Sequence, residues 1–545
     1  MALRRLLFSL GAVCLAWSVV LALTGGFYLE YSFFRVSSRK ALPPAAIGAL
    51  CWVLAFASWE PAQRRERLVA WLGWLNRVGQ FWSHQRARRI LVLLVLLASG
   101  LATVRFGARL TSPLGQRPSS KGNSRLPTYS PGLPIAMAVV ARVFGPDAVF
   151  WVVPALGLVT LWATFSLGTL VTGPAVGIGA MLLLAASPAF LFLLFEAPMS
   201  DIPVTAWWTL ALLFIVRGRT RDPMWSGLCA AAALATRPNL APLLLAVLAA
   251  AWLGAHGRRA ALRRGATAVL FTTPAFIGIC ALNKLWYGGW LTSGYGTAGE
   301  LFTFSNWAPN LQRYATWLIA SQTPLILLSC LALLTAERRN SKISQRRLLA
   351  CLTLAIFITV GSYVFYAVFD DWWYLRFLLP AFPSLLVLTA HVLWYTLERF
   401  VARFAALAFA VMIAITCAFT LSFAAAHHVF SSREGSEHYE WVGRTVAAQL
   451  PSNAVVLAMQ YSGSVSYYSD RSIVRYDFVE PQALPRLLAE LEAQGYVLYA
   501  ALHQSDEQPF RDRFGIGPTD AHISLEPVAS HQCCSRVYRV HRRSP

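Results

Sequence analysis

Apolar runs of bilayer-crossing length alternate with short charged stretches from the amino terminus to about residue 426, and beyond that point apolar and polar positions mix as in water-soluble domains. The runs fall at 6–25, 43–59, 89–106, 147–172, 174–195, 202–216, 225–236, 239–254, 265–284, 322–336, 348–368, 376–395 and 402–425. Read as helices of roughly 20 residues, each crossing about 30 Å of hydrocarbon, they predict about thirteen spans. The two runs flanking Arg237 are short and together read as a broken or re-entrant pair, which leaves the count open. The apolar segment 131–144 is too short to cross, and counting it as a span would invert every later loop; it is placed flat on the outer surface.

After His427 the periodicity changes character. A helical pattern at 437–450 is followed by β runs at 454–459 and 472–478, a helix at 481–494 and a β run at 496–502. The chain therefore divides into 1–88, amino-terminal spans with a basic cytoplasmic loop; 89–426, a multi-span domain; and 427–545, an extramembrane α/β domain. The fold class is a mainly α polytopic membrane protein with a small carboxy-terminal α/β domain outside the membrane.

Composition sharpens this picture. Hydrophobic residues make up 57% of the chain, charged residues only 13%, and the mean hydropathy is +0.52. That is too little polar surface to coat several soluble cores, so lipid is the main solvent. The net charge of +22 invites a nucleic-acid partner, but the basic residues sit mostly in short loops beside apolar runs, where topology accounts for them. Arginine clusters at 64–89, 217–221, 258–264, 338–347 and 399–403 share one loop parity and are placed in the cytoplasm. The opposite parity faces outward and holds 107–132, 283–321, 370–376 and everything beyond residue 427. Arg4 and Arg5 before the first apolar run fit a signal peptide or an uncleaved first span; the second is favoured for want of a clear cleavage site. Of 9 cysteines, only Cys533 and Cys534 fall in the polar tail, and no zinc-like spacing or disulfide framework stands out. His427 and His428 read as a solvated pair beside the membrane.

The outward loops carry the candidate chemistry. Segment 111–134, TSPLGQRPSSKGNSRLPTYSPGLP, is basic on the side where basic residues are scarce. Arg109, Arg117, Lys121 and Arg125 suit a lipid-linked phosphate, because guanidinium forks pair with phosphate oxygens; contact with anionic headgroups is the alternative. In FEAPMSDIP, Glu196 and Asp201 stand at the bilayer edge, where carboxylates are functional candidates by default and Asp201 is alternatively a helix cap. In LATRPNLAPLL, Arg237 lies between two apolar runs and needs an anion, either a substrate phosphate or Asp201. FDDWWYLRFLLPAFP brings Asp370, Asp371, Trp373, Tyr374 and Arg376 to an outer boundary, with the aromatics also explicable as an interfacial belt. The glycine- and aromatic-rich stretch 283–314, with Tyr295, and Tyr129 in the basic loop have the character of residues that line a sugar or lipid site.

Taken in order, SPLG and RPS, PTYSPGLP, SPAFLF, PMSDIP, ALATRPNL, GYG and GELF, QTP, and WWYLRFLLPAFP resemble the bacterial polyprenyl-phosphate-sugar glycosyltransferases of the GT-C fold. More narrowly, the chain resembles the RgtA/B/C/D-like and dolichyl-phosphate-mannose-protein mannosyltransferase-like group, from about residue 90 into the tail. The resemblance implies an enzyme of the bacterial cytoplasmic (inner) membrane, amino terminus inside and tail outside. It would take a sugar from a polyprenyl-phosphate donor and pass it to a glycan, lipid or protein acceptor beyond the membrane. Asp201 matches the family's second acidic position, and beside it the residues themselves offer Glu196 as a catalytic candidate and Arg237, Arg376, Arg117, Lys121 and Arg125 around the donor phosphate. Tyr129, Tyr295, Asp370, Asp371, Trp373 and Tyr374 would line the substrate, with Asp201 also a candidate ligand for magnesium or manganese.

The sequence departs from that pattern in one place. No aspartate or glutamate lies between Glu66 and Asp147, so the acidic motif expected in the first outer loop is missing. Glu196, Asp201, Asp370 and Asp371 are the candidates to replace it, with Asp147 and Glu300 behind them. The alternative function is a catalytically impaired lipid-phosphate-binding protein of the same fold.

Overall fold

The computed structural model describes residues 27–31, 34–38, 116–118, 125–127 and, from 129 onward, all but 197, 336–342, 518–522, 532–533 and 543–545. The chain forms two compact units, Met1–Ala87 and Arg88–Pro545. In the first, the described residues form an antiparallel hairpin, β1 (Phe27–Tyr31) and β2 (Phe34–Ser38). The spans expected at 6–25, 43–59 and 89–106 and the candidate Lys121 lie outside the described residues.

The second unit begins with the short antiparallel pair β3 (Gln116–Pro118) and β4 (Arg125–Pro127). Helices follow: α1 (Gly132–Phe144), α2 (Val152–Val171), α3 (Pro174–Ala185), α4 (Pro188–Phe195), α5 (Asp201–Arg217), α6 (Asp222–Thr236), α7 (Leu244–Leu253), α8 (Arg258–Tyr287), α9 (Trp307–Gln322), α10 (Ile343–Tyr363), α11 (Phe382–Phe400) and α12 (Ala405–Ala426). Among the described residues, 5 helices are long and apolar enough to cross a membrane, or up to 7 if each of two bent pairs counts as one span. One bent pair is α3 with α4, turned by 57° where Ser187 and Pro188 interrupt the ladder; the other is Phe304–Gln322 with Pro324–Leu334, turned by 105°. The expectation of about thirteen spans is thus not reached among the described residues. The runs at 202–216, 225–236 and 239–254 form helices, but α5 has 17 residues, α6 has 15, and α7 is shorter still.

Shortness is tolerated at α5 because it runs through the protein interior, with Asp201 to Ala206 and Trp208 to Leu213 all buried. Small residues let its neighbours close in. A Cβ at Gly168 on α2 would lie 2.7 Å from the Gly177 Cα on α3, and one at Gly227 on α6 would lie 2.4 Å from the Ala268 carbonyl on α8. By contrast α1 buries Leu133 and leaves Ile135, Val139, Val143 and Phe144 exposed along one side, the pattern of a helix whose apolar face lies on lipid.

The tail folds around a five-stranded sheet of order β6-β5-β7-β9-β8: β5 (Ala454–Ala458), β6 (Ser472–Val474), β7 (Val497–His503), β8 (Ile523–Ser530) and β9 (Ser535–Arg542). β5 runs parallel to β6 and β7, while β9 pairs antiparallel with β7 and β8. Helices α13 (Ser432–Gln449), α14 (Ser462–Tyr468), α15 (Leu484–Ala493) and α16 (Gln504–Phe514) complete the domain. Two apolar cores form, one centred on Leu457, Leu484, Leu498 and Phe510, the other on Val442, Val446, Val456 and Tyr461. The β5 run Ala-Val-Val-Leu-Ala is buried at every position, as a parallel strand covered on both faces requires.

Candidate functional site

Each charged group of the site sits where a helix starts, stops or breaks. Helix α6 ends at Thr236 because the next residue, Arg237, precedes Pro238, whose ring disfavours helical backbone at the residue before it. Arg237 takes φ −150° and ψ 88°, and a 3-10 turn at Pro238–Leu243 separates α6 from α7. Asp201 opens α5, and Arg376 lies in the 3-10 segment Trp372–Ala381 that precedes α11. Tyr295 occupies a tight turn closed by the Ser293–Gly296 bridge, where Gly296 takes φ 104°.

Arg237 Nη1 stands 2.9 Å from Asp201 Oδ1, with the arginine side chain 15% exposed and the aspartate 1%. The contact is an ion pair without hydrogen-bond geometry at that oxygen, so it is not the bidentate fork that a fully committed pair adopts. Arg237 Nη2 donates to Ser200 Oγ at 3.1 Å, and Nη1 to the Tyr363 hydroxyl at 3.4 Å. Asn239 Nδ2 donates to the same hydroxyl at 3.0 Å. Asp201 is therefore the first residue of α5 rather than its cap; the cap position belongs to Ser200, whose side chain serves Arg237 instead of the helix.

Arg376 lies beside this pair. Its guanidinium carbon packs 5.1 Å from the Trp373 ring centroid, 5.4 Å from Tyr374 and 5.1 Å from Phe377, and Nη1 approaches Met199 Sδ at 3.2 Å. Its Nε is buried with no hydrogen-bond partner. Tyr129 meets Tyr295 edge to face at 5.4 Å and lies within electrostatic reach of Arg376, Asp201 and Arg237. Burial pushes the Tyr129 phenol above its ordinary range, outweighing the opposing pull of the Tyr295 hydrogen bond and the two arginines.

Packing explains how Tyr129 reaches the arginines. Gly132, at the start of α1, sits so close to the end of α6 that a Cβ there would fall 2.5 Å from the Ala235 carbonyl carbon and 2.5 Å from the Thr236 amide nitrogen. That approach seats Gly132, three residues after Tyr129, against the residue before Arg237. On the far side, Asn310 of α9 donates to the Val364 and Tyr366 carbonyls at 3.1 and 2.7 Å, fixing the end of α10 that carries Tyr363.

Asp201, Arg237, Arg376, Tyr129 and Tyr295 thus converge, together with Tyr363, Tyr366, Asn239 and Ser200, which sequence reasoning passed over. Trp373 and Tyr374 flank Arg376. Other candidates stand elsewhere. Glu196, at the end of α4, is electrostatically coupled to Tyr439 of the tail domain. Asp370 is exposed and accepts from Arg313 Nε at 2.7 Å, and Asp371 is exposed ahead of the Trp372–Ala381 segment. Arg117 and Arg125 lie on the β3–β4 ladder, opposite Leu126 and Pro118.

A magnesium or manganese ion needs several oxygen ligands, usually including more than one carboxylate. Among the described residues making these contacts, Asp201 is the only carboxylate, and the guanidinium of Arg237 already stands against it. The donor set does not fit a divalent cation at Asp201.

No protein-family model matches the chain, and no curated protein matches it. The fold is matched by ArnT from Cupriavidus metallidurans bound to undecaprenyl phosphate, with a TM-score of 0.54 and 14% identity over 84% of this chain and 98% of that one. The chain shares the fold of this ArnT. The apo form of the same ArnT matches at a TM-score of 0.50 and 15% identity, over 83% of this chain and 97% of that one. A looser likeness, TM-score 0.45 and 12% identity over 76% of this chain and 70% of the other, is to the oligosaccharyltransferase AglB from Archaeoglobus fulgidus, solved with an inhibitory peptide and a dolichol-phosphate.

Proposed function

We propose that this chain is a membrane glycosyltransferase that takes a sugar from a polyprenyl-phosphate donor and passes it to an acceptor on the outer side of a bacterial cytoplasmic membrane. One observation carries the proposal: two guanidiniums, Arg237 and Arg376, share a buried cluster with a single carboxylate, Asp201. A buried excess of positive charge calls for an anion, and a phosphate matches both its sign and its geometry. The ArnT of matching fold was solved with undecaprenyl phosphate, which agrees with a lipid phosphate as the ligand class.

In this reading the donor phosphate lies against Arg237 and Arg376, which stabilise the charge that grows as the bond from the anomeric carbon to the phosphate oxygen breaks. The acceptor hydroxyl forms the new bond to that carbon and gives its proton to Asp201, whose Oδ1 is steadied by Arg237. Tyr129 and Tyr295 offer a polar, aromatic wall for the sugar, and Arg117, Lys121 and Arg125 draw the anionic headgroup in. Asp370 is taken up by Arg313, and Glu196 remains a candidate at the end of α4.

Purified full-length protein in lipid nanodiscs, offered a panel of polyprenyl-phosphate sugars and candidate acceptors, should release free polyprenyl phosphate. Asp201→Asn should lose turnover while keeping carrier binding, and Arg376→Ala should lose carrier binding by at least about tenfold, equivalent to 1.4 kcal/mol. A second reading, a carrier-binding protein without transferase activity, is favoured by the absence of any acidic residue between Glu66 and Asp147. It gives the same Arg376→Ala result with no turnover from the unmodified chain on any donor.

A further inference from the structure

The tail domain carries a second constellation that the transfer chemistry does not use. His438 projects from α13, His503 ends β7, and Cys534 stands one residue before β9. Their ligand atoms all lie within 4.8 Å of one another, His438 buried and the other two half-buried. Backbone register produces the meeting: His503 pairs with Ser535 across the β7–β9 ladder, and the Gln504 amide donates to the Cys534 carbonyl at 2.7 Å. Helix α13, packed over this end of the sheet, then brings the His438 ring to 5.5 Å from that of His503.

We propose that His438, His503 and Cys534 form a binding site for a divalent transition metal of the zinc class. Two imidazoles and a thiol are the donor set that borderline-soft metals select over magnesium, manganese or calcium. Around tetrahedral zinc, with bonds of about 2.0–2.3 Å, ligand atoms sit roughly 3.3–3.8 Å apart. The three groups therefore need to draw in by about an ångström, within reach of small side-chain rotations.

The surroundings add an orienting relay. His503 Nδ1 lies 2.7 Å from Ser505 Oγ, which in turn donates to Asp506 Oδ1 at 3.3 Å. A ligating histidine characteristically hands its other ring nitrogen to such a chain, which fixes the tautomer and the ring plane. Here the Ser505 backbone amide donates to the same Nδ1 at 3.2 Å, so Nδ1 accepts and the turn fixes the ring plane rather than the tautomer. Metal binding takes the Cys534 thiol to the thiolate and releases its proton to solvent. Three protein ligands leave a fourth position for water or another donor.

A bland alternative makes His438 and His503 packing residues of an aromatic cluster with Tyr439 and Tyr461, whose rings lie 4.2 and 5.7 Å from His438. Packing explains the rings but not why a cysteine joins two imidazoles at ligand distance. The site also has a structural use. Tyr439, next to His438, is coupled to both Glu196 and Cys534, so a metal here would clamp α13 to the sheet at the place where the domain meets the end of α4.

The test uses tag-free, full-length protein in detergent, stripped with chelator and titrated with cobalt(II) and with zinc. The expected results are one tightly bound equivalent of zinc, a cobalt–thiolate charge-transfer band, and a rise in thermal midpoint on zinc addition. Cys534→Ser should abolish the band, His438→Ala should weaken zinc binding at least tenfold, and Cys533→Ser should leave both intact. Unmodified protein that gives no charge-transfer band overturns the proposal, whatever the variants do. So does a band that persists in Cys534→Ser.

Discussion

Replacing Arg237 by methionine strips Asp201 of its ion-pair partner while keeping much of the side-chain volume. The carboxylate is 1% exposed, so it cannot turn to water, and the loss of one partner from a buried pair costs about 3–5 kcal/mol. Asp201→Asn should cost less, because Arg237 is 15% exposed and keeps Ser200 and Tyr363 as acceptors. The double variant should be destabilised by less than the sum of the two, with a coupling of about 1–3 kcal/mol, since neither unpaired charge then remains. Equilibrium unfolding of the four proteins in mixed micelles, followed by tryptophan fluorescence, measures this. Additivity within about 0.5 kcal/mol would mean that the two side chains are neighbours without being partners, and the reading of the cluster as a charge-balanced unit with one guanidinium in excess would fall.

Two further outcomes follow from other parts of the fold. Gly132→Val should cost about 1–3 kcal/mol, because its Cβ would meet backbone 2.5 Å away rather than a side chain able to swing aside, and carrier affinity should fall with the displaced Tyr129; an unfolding midpoint and a binding isotherm read both. In the tail, burial raises the Glu507 carboxyl, but hydrogen bonds from Tyr538 and Arg511 and the charge of Arg536 outweigh it and hold it below its ordinary value. Its stabilisation is therefore fully present above the unfolded value near 4.5 and is lost as pH falls through the depressed folded value. Because these arginines are substantially exposed, it amounts to less than about 1 kcal/mol. The stability gap between the unmodified chain and Glu507→Gln, clear at neutral pH, should close on acidification, and a gap that widens would reverse the assignment.

Much of the architecture was legible because lipid imposes a simple rule: apolar runs must become helices. The runs read from residue 147 onward are helical over most of their described length, and the alternation past residue 427 became the five-stranded sheet and its helices. Span number was less legible, since α5 is shielded by protein and needs neither the length nor the composition of a lipid-facing helix. At the site, Arg237 demanded an anion from its surroundings alone, and the structure supplies Asp201. Tyr363 and Tyr366 were passed over because an aromatic at the end of an apolar run looks like any interfacial residue. Glu196 and Asp370 stood beside Asp201 as candidates in sequence; the fold pairs Asp370 with Arg313 and sets Glu196 at the end of α4. His438, His503 and Cys534 have no local spacing to betray them, because strand register and helix packing create their proximity.

The charged groups of the cluster share a dependence on interrupted helices, and that dependence can be tested with a change that adds no charge and removes none. A straight apolar helix continuing from α6 into α7 would carry Arg237 round with its own turn and lose the extended backbone that aims it at Asp201. Pro238 and Pro242 are what prevent this, since each removes a backbone donor and disfavours continuation, at about 3 kcal/mol per proline in a helix interior. Pro238→Ala with Pro242→Ala should therefore raise helix content and leave the protein folded, offsetting part of the loss of the ion pair, while carrier affinity falls at least tenfold. Circular dichroism, an unfolding midpoint and a carrier-binding isotherm on the same preparation decide it. Unchanged affinity beside a measured gain in helix would show that the break at Arg237 does not position the guanidinium, and that the cluster is held by α5 and the Trp372–Ala381 segment alone.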